Sequence, residues 1–155
     1  MTSYVICGVE FTQDAFRLEW QQGPQPEEAD AYRRYLDSTP LLPAEWPLWQ
    51  AWLNRVQEMT RHVTISRVIL LDDQPASYQQ WRQWGAPWHR QAGEKILFMS
   101  HREAKRLGIP IGNWWVFDHE RVADMHGNLI TGSRAAACLA GCDLAIRHAA
   151  ETSTA

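Results

Sequence analysis

The sequence predicts an α/β domain with a mixed β-sheet, flanking helices and a closing C-terminal helix. Three observations lead to this fold class. Strand-like apolar segments alternate with helical patterns through the middle of the chain. A strand at 114–118 and its partner at 121–125 are then separated by two polar residues, as in a hairpin. An Ala-rich helical segment over about 133–150 follows them.

Length and charge limit the possible functions. The 155 residues suffice for one domain, and we expect 1–155 to form it, with 1–10 and 151–155 at its periphery. A net charge of −3 without a Lys/Arg run argues against direct nucleic-acid binding. No segment reaches the roughly 18 apolar residues of a membrane span. The N-terminus lacks the basic start and apolar stretch of an export signal, so we expect a cytoplasmic protein.

The first half of the chain contains one strand and two helices. Apolar and polar side chains alternate over 15–20, which predicts a half-buried strand that ends at 23–26. Acidic residues in its first turn favour a helix over 27–36. One apolar stripe at positions i, i+3, i+4 and i+7 predicts the clearest helix: Trp49, Trp52, Leu53 and Val56.

The second half continues with buried strands and short connections. The β-branched run 63–71 predicts a central strand, followed by a helix from Pro75 that we expect to end before Gly85 and Pro87. A second buried strand is expected over 94–99. Ser100 and Glu103 have the spacing of a capping box, which starts a short helix. Beyond the hairpin, a further short strand is expected over 129–131.

Several short segments together carry a family resemblance, which covers about Phe11 to Ala150. By their order and spacing, the chain resembles a family of small actinobacterial proteins described as a domain of unknown function. That resemblance implies genes for helix-turn-helix regulators in the neighbourhood, but no established activity. The segments are 15–19, 42–46 with Trp49, 67–69, 77–78, 93–96, 104–110, 114–118 and 125–126.

The order of elements is also similar to half of a phospholipase D-like domain. That resemblance implies a His-x-Lys motif five residues before an Asp. When the chain is aligned on Asp118, Ile111 stands in place of the His and Asn113 in place of the Lys. A site of that type would therefore lack its nucleophile and its phosphate-binding cation.

The sequence predicts no metal site and no cofactor. Cys138 and Cys142 are four residues apart on a predicted helix, but no second pair of ligands has a suitable spacing. We expect them to be small buried side chains, and three cysteines do not form a disulfide framework. The nine glycines are scattered, without a phosphate-binding loop.

Arg17 and Glu19 are the best polar candidates for a site. They lie two residues apart on one face of an otherwise aromatic strand. Such a pair can bind the carboxylate or amine of a ligand, and Glu19 could act as a base in an enzyme. A structural ion pair or a solvated strand face is the more common arrangement.

The hairpin residues give a second candidate site. Asp118 with His119, and Asp124 with His126, could form a dyad or two metal ligands. Hairpin turns are usually polar and exposed without such a role, which is the interpretation we favour. Asp118 is kept beside Glu19 as an alternative catalytic residue.

Nine tryptophans are unusually many for one small domain. Adjacent Trp114 and Trp115 must face opposite sides of a strand, so one of them could lie outside the main core. Aromatic walls beside an Arg or a carboxylate suit flat or cationic ligands, and they also suit protein interfaces. The candidate binding residues are Arg17, Glu19, Trp46, Trp49, Tyr78, Trp81, Trp114, Trp115 and Asp118.

These observations favour a non-enzymatic accessory module that binds a protein partner or senses a small ligand. A helix-turn-helix regulator is the partner that the family resemblance implies. The alternative is a small enzyme of specialised metabolism with an aromatic-walled pocket around the Arg17/Glu19 pair. The sequence leaves the oligomeric state open.

Overall fold

The computed structural model describes residues 2–151. Within this range the chain forms eight strands and five α-helices. The strands are β1 (Tyr4–Ile6), β2 (Val9–Phe11), β3 (Asp14–Glu19), β4 (Thr64–Leu71), β5 (Lys95–Ser100), β6 (Trp114–Phe117), β7 (Arg121–Ala123) and β8 (Leu129–Ile130). The helices are α1 (Ala29–Leu36), α2 (Pro47–Met59), α3 (Ser77–Ala92), α4 (His101–Arg106) and α5 (Gly132–His148), with short 3-10 helices at Pro26–Glu28 and Pro43–Glu45.

Six strands form one mixed sheet in the order β5-β4-β3-β6-β7-β8. The pairs β3–β4 and β4–β5 are parallel, whereas β3–β6, β6–β7 and β7–β8 are antiparallel. The remaining strands, β1 and β2, form a separate hairpin. This arrangement confirms the predicted α/β class, with its mixed sheet, flanking helices and C-terminal helix.

One face of the sheet is covered by α4 and α5. Side chains of alternate strand residues, among them Leu18, Val68 and Trp114, form a continuous apolar cluster there. Cys138 and Cys142 on α5 belong to this cluster and are fully buried, as predicted.

The opposite face is covered by α2, α3 and the β1–β2 hairpin, and its apolar residues are divided. One cluster includes Ile65, Trp115 and Phe117, and a second one includes Ile69 and Ile96. Arg17 and Arg67 lie between the two, side by side in the register of β3 and β4. Buried charge therefore crosses this face, which is where the candidate site lies.

Helix α3 differs from the prediction. It continues through Gly85 and Pro87 to Ala92 and ends at Gly93, whose φ of 110° is the left-handed conformation common after helices. A proline inside a helix costs about 3 kcal/mol. Packing offsets this cost, because Ala86 and His89 are buried on either side of the exposed Pro87.

The first residues pack more closely than a peripheral segment would. Of residues 2–10, Ile6 and Val9 are buried in the same cluster as Trp115. The turn between β1 and β2 lies against the turn before β8, where a Cβ on Gly127 would be 1.8 Å from the carbonyl oxygen of Cys7. Residues 1 and 152–155 lie outside the described range, and so does the expectation made for them.

Candidate ligand-binding cleft

A cleft of about 530 Å³ opens above the charged part of the sheet. Its floor is formed by β3, one wall by α2, and its rim by the segment 21–28 and the turn at 125–126. Arg17, Glu19 and Arg82 provide its charged floor, and Trp46, Trp49 and Trp52 provide an aromatic wall.

Three arginines from three elements hold Glu19. Its carboxylate lies 3.2 Å from Arg17 Nη2, 3.3 Å from Arg67 Nη1 and 3.1 Å from Arg82 Nε. The parallel register of β3 and β4 places Arg67 beside Arg17, and α3 brings Arg82 down onto the same carboxylate. Glu19 is almost fully buried, so these contacts replace its hydration.

A second buried carboxylate extends the network toward α2. Arg67 Nε donates to Glu94 Oε2 at 2.9 Å, and His89 Nδ1 lies 3.1 Å from Glu94 Oε1. Trp49 Nε1 donates to His89 Nε2 at 3.0 Å. Because an indole N–H can only donate, His89 Nε2 must accept, and Nδ1 carries the proton that is donated to Glu94. We call Arg17, Glu19, Arg67, Arg82, His89 and Glu94 the charged network.

Tyr78 and Glu28 extend the contacts on the rim side. The Tyr78 hydroxyl donates to Glu28 Oε1 at 3.0 Å, and Arg82 Nη1 lies 3.9 Å from Glu28 Oε2. The 3-10 helix and α1 place Glu28 here. The segment before α1 is thereby tied to α3.

The charged network determines the protonation states at the floor of the cleft. Burial alone would raise the pKa of Glu19, but the charges of Arg82, Arg17 and Arg67 outweigh it and hold the pKa well below its usual range. Burial likewise opposes ionisation of Glu94, yet Arg67 and the hydrogen bond from His89 keep its pKa at about 2. Burial lowers the pKa of Arg17 to about 10, against the charge of Glu19, and the group stays protonated at neutral pH.

His89 and Tyr78 are neutral at physiological pH. Burial lowers the pKa of His89, although its hydrogen bond to Glu94 acts in the opposite direction. Burial raises the pKa of Tyr78, and the carboxylates of Glu19 and Glu28 raise it further. We therefore expect no proton exchange near pH 7 at these five side chains: Arg17, Glu19, Tyr78, His89 and Glu94.

The aromatic wall is built by α2 and α3 together. The Trp46 ring stacks on Trp81 with centroids 6.0 Å apart and an interplanar angle of 19°. Trp49 packs edge-on against Trp88 at 5.5 Å. Behind Trp46 and Trp49 lies a cavity of about 30 Å³, which is large enough for a water molecule.

The structure brings together most of the candidate binding residues. Arg17, Glu19, Trp46 and Trp49 line the cleft. Tyr78 lies behind the rim, and its hydroxyl meets Glu28. Trp81 stands behind Trp46 and lines the small cavity.

Trp114 and Trp115 do face opposite sides of the sheet, as their adjacency predicts. Both are buried, however, so neither lies outside the core. Trp114 belongs to the cluster under α5, where its indole N–H donates to the carbonyl of Pro110 at 3.0 Å. Trp115 lies beneath Arg17, whose guanidinium is 5.8 Å from the ring centroid.

Asp118 lies apart from the cleft, in the turn between β6 and β7. Asp118 and His119 have φ values of 55° and 56°, as both central residues of a tight hairpin turn do. The Asp118 carboxylate accepts hydrogen bonds from the backbone N–H groups of Thr12, Gln13 and Asp14. Burial by itself would raise the pKa of Asp118, but these hydrogen bonds outweigh it, and the pKa is lowered. This carboxylate links the turn between β6 and β7 to the segment between β2 and β3.

The other polar hairpin residues are also engaged locally. His119 Nε2 lies 3.2 Å from Asp14 Oδ2. Asp124 accepts hydrogen bonds from the backbone N–H groups of His126 and Asn128 within its own turn. Between residues 2 and 151, no group of three or more His, Cys, Asp or Glu side chains is placed to hold a metal ion.

Asn113, which stands in place of the Lys of a phospholipase D-like motif, has a structural contact. Its side-chain amide donates to the carbonyl of Trp20 at 2.8 Å and accepts from the N–H of Trp20 at 3.1 Å. These bonds continue the β3–β6 pairing beyond the ends of both strands.

Sequence reasoning missed Arg67, Arg82, His89, Glu94 and Trp52. A signal existed for Arg67, because a charged residue inside a β-branched, fully buried strand must find a partner. Glu94, directly before the next buried strand, was the corresponding acidic signal. Arg82 and His89 carried no such signal, since helix periodicity alone does not show which of their neighbours is charged.

No helix in the range 2–151 is both long enough and apolar enough to cross a membrane. No curated protein matches the sequence. One family model does match: it is described as Domain of unknown function (DUF6879), and the match extends over residues 7–152. The chain therefore belongs to the DUF6879 family.

Proposed function

We propose that this protein is a non-enzymatic module that binds a small molecule in the cleft above Arg17 and Glu19. The observation that carries the proposal is the pairing of an aromatic wall with a rigid, charged floor in one concave site. A volume of about 530 Å³ lies within the range of ligand pockets, which is about 300–1,000 Å³. Four of the nine candidate binding residues line it: Arg17, Glu19, Trp46 and Trp49.

The state of Glu19 favours binding over catalysis. A general base needs a free lone pair within reach of the substrate and a pKa near the working pH. Both oxygens of Glu19 are already bound by arginines, and its pKa is far below neutrality. The enzyme alternative would need another base, and Asp118 lies in a turn outside the cleft lining.

A protein partner is the second candidate, and exposed leucines favour it. Leu48 in the cleft lining is 56% exposed, Leu42 before the second 3-10 helix is 45% exposed, and Leu36 on α1 is 51% exposed. Such side chains suit an apolar contact. The helix-turn-helix regulator implied by the family resemblance is the partner we propose to test. Cys7, Cys138 and Cys142 are all free, as is common in the reducing cytoplasm. A cytoplasmic location is therefore part of the proposal, and it is compatible with either role.

The test is a thermal-shift and calorimetric titration with flat compounds of three charge types. The acidic members are 1-naphthoate and indole-3-carboxylate, the neutral members nicotinamide and adenine, and the basic members tyramine and tryptamine. His126→Trp adds bulk to the cleft lining from an exposed position. Glu58→Trp adds the same bulk to an exposed position on α2 outside that lining.

We expect at least one compound to raise the Tm and to bind with a measurable heat. His126→Trp should weaken that binding about tenfold or more, and Glu58→Trp should leave it unchanged. If no compound binds, or if both variants bind equally well, the cleft is not a small-molecule site. A purified helix-turn-helix regulator encoded beside the gene would then be tested for binding. Binding that Leu48→Glu abolishes would support the second candidate.

A further inference from the structure

Resting on the proposed function, we infer that the ligand of the cleft carries a single carboxylate, which is bound by Arg17 and Trp52. The inference concerns the chemical class of the ligand. It follows from which hydrogen-bonding groups of the cleft already have partners and which do not.

The buried polar atoms without a partner are all hydrogen-bond donors. Among residues 2–151 these side-chain atoms are Arg17 Nε, Trp52 Nε1, Trp115 Nε1 and Arg121 Nε. Arg17 and Trp52 both line the cleft. Buried donors in native proteins are nearly always paired. Two buried N–H groups of the cleft lining therefore have no acceptor within hydrogen-bond distance.

Glu19, the carboxylate that Arg17 contacts, is already occupied by the other two arginines. Glu19 Oε1 already accepts from Arg67 Nη1 at 3.3 Å and from Arg82 Nη2 at 3.2 Å, and Oε2 accepts from Arg82 Nε at 3.1 Å. Arg17 reaches the same carboxylate only through Nη2, at 3.2 Å. The Nε–H group of Arg17 therefore has no acceptor.

Of the three arginines in the charged network, Arg17 has the fewest carboxylate partners. Arg67 lies between the carboxylates of Glu19 and Glu94, and Arg82 lies between those of Glu19 and Glu28. Arg17 has Glu19 alone. Its side chain is 13% exposed, against 4% for Arg67 and 17% for Arg82, so Arg17 and Arg82 both reach the cleft surface and Arg17 is the one of them with a single carboxylate partner. An anionic acceptor would supply its missing partner.

The remaining lining limits the anion to a compact, singly charged group. Glu27 and Glu28 belong to the same cleft, and their negative charges disfavour phosphates and other polyanions. Trp46, Trp49 and Trp52 offer flat apolar surface to the rest of the molecule. An aromatic carboxylate combines the two features.

Three compounds with one carrier ring test the charge requirement: 1-naphthoate, 1-naphthamide and 1-naphthylmethylammonium. Calorimetry should give a Kd for the carboxylate at least tenfold below those of the amide and the amine. The ratio of amide Kd to carboxylate Kd then isolates the acceptor group from the stacking of the ring.

Two conservative variants test the assigned donors. Trp52→Phe keeps an aromatic ring but removes its N–H, and Arg17→Lys keeps the charge but removes Nε. Each should reduce the amide-to-carboxylate ratio by about threefold or more. Trp20→Phe is the control, because the Trp20 ring packs on the opposite face of the sheet, and it should leave the ratio unchanged.

The outcomes separate this inference from the proposed function. Equal binding of all three naphthalene compounds, or preferred binding of a neutral or basic compound that His126→Trp blocks, overturns the carboxylate but leaves a small-molecule site. A carboxylate preference that survives both donor variants overturns the assignment to Arg17 and Trp52. Absence of binding by every compound overturns the inference and the proposed function together.

Discussion

At the scale of single residues, the molecule depends on buried charges that satisfy one another. Removing one partner of a buried pair leaves the other charge without its solvation or its counter-ion, which typically costs about 3–5 kcal/mol. Arg67 links both carboxylates of the charged network, since it contacts Glu19 and Glu94. The network is therefore sensitive to changes that leave a charge unpaired.

Glu94→Gln should lower the free energy of unfolding by about 3 kcal/mol, because Arg67 loses the negative charge of its closer carboxylate and an NH2 group replaces one of the two oxygens that accept from Arg67 and His89. Urea unfolding followed by tryptophan fluorescence measures the loss. Glu103→Gln is the matched control, since Glu103 pairs with Arg106 at the surface, and its unfolding midpoint should stay unchanged. Equal midpoints for the two variants would show that the buried pair contributes little.

His89 should make stability depend on pH. Its pKa is lowered in the folded protein, mainly by burial. The unfolded chain therefore binds a proton first as the pH falls below about 6.5. Stability is fully present above that pH and declines as the pH falls toward the lower folded pKa, by at most about 1.4 kcal/mol per pH unit.

The check is the urea midpoint between pH 7.5 and pH 5.5, a range above the ordinary pKa of Glu. His89→Gln should unfold more easily at pH 7.5, but its midpoint should change less with pH than that of the unmodified protein. His62→Gln, at an exposed position, should keep the full pH dependence. A slope that survives in His89→Gln would assign the titration to another group.

At the scale of elements, two turns meet and position the first hairpin. Gly127 has a φ of 83°, and a Cβ there would overlap the Cys7 carbonyl oxygen at 1.8 Å. Gly8 has a similar φ of 79°, but nothing lies within 4 Å of its Cβ position. Alanine substitutions at the two positions therefore separate the cost of the left-handed backbone from the cost of the close contact with Cys7.

Gly127→Ala should destabilise the protein by about 2–3 kcal/mol, because the hairpin that buries Ile6 and Val9 must shift away. Gly8→Ala should cost only the left-handed strain, about 1 kcal/mol. Urea midpoints compare the two variants. Similar losses in both would show that the contact with Cys7 is not what holds the hairpin.

The elements with long, regular patterns were the ones that the sequence predicted. The strand around Arg17, the apolar stripe of α2 and the Ser100 cap of α4 all appear in the structure, with the Ser100 hydroxyl accepting from Glu103 N–H at 3.0 Å. The expectation that this strand is half-buried was wrong, because helices cover both faces of the sheet and neighbouring residues such as Ala15 and Phe16 are both buried. The strands of the β1–β2 hairpin have three residues each, too few for a period to be recognised. The passage of α3 through Pro87 depends on tertiary packing, which overrides local propensity.

At the scale of the whole molecule, the cleft exists because the sheet brings together distant parts of the chain. Arg82 and Glu19 are 63 residues apart in sequence, and Arg67 and Glu94 are 27 apart. The Arg17–Glu19 pair and the Trp46–Trp49 segment could be recognised locally. Their partners could not, because pairing between β3 and β4 and the seating of α3 decide which charges meet.

Tryptophans lie on both faces of the sheet, which makes them useful as spectroscopic probes. Trp20 and Trp114 pack on the side of α4 and α5. Trp46, Trp49 and Trp52 line the cleft on the other side. Each indole N–H is a separate reporter, and the two groups lie on opposite sides of the molecule.

The most direct measurement is a two-dimensional ¹H–¹⁵N spectrum of the indole N–H groups, assigned by single Trp→Phe variants, during titration with the acidic, neutral and basic compounds. Binding in the cleft predicts saturable shifts for Trp46, Trp49 and Trp52, with Trp20 and Trp114 unchanged. Unchanged indole resonances with every compound at millimolar concentration would contradict the account, as would shifts confined to Trp20 or Trp114.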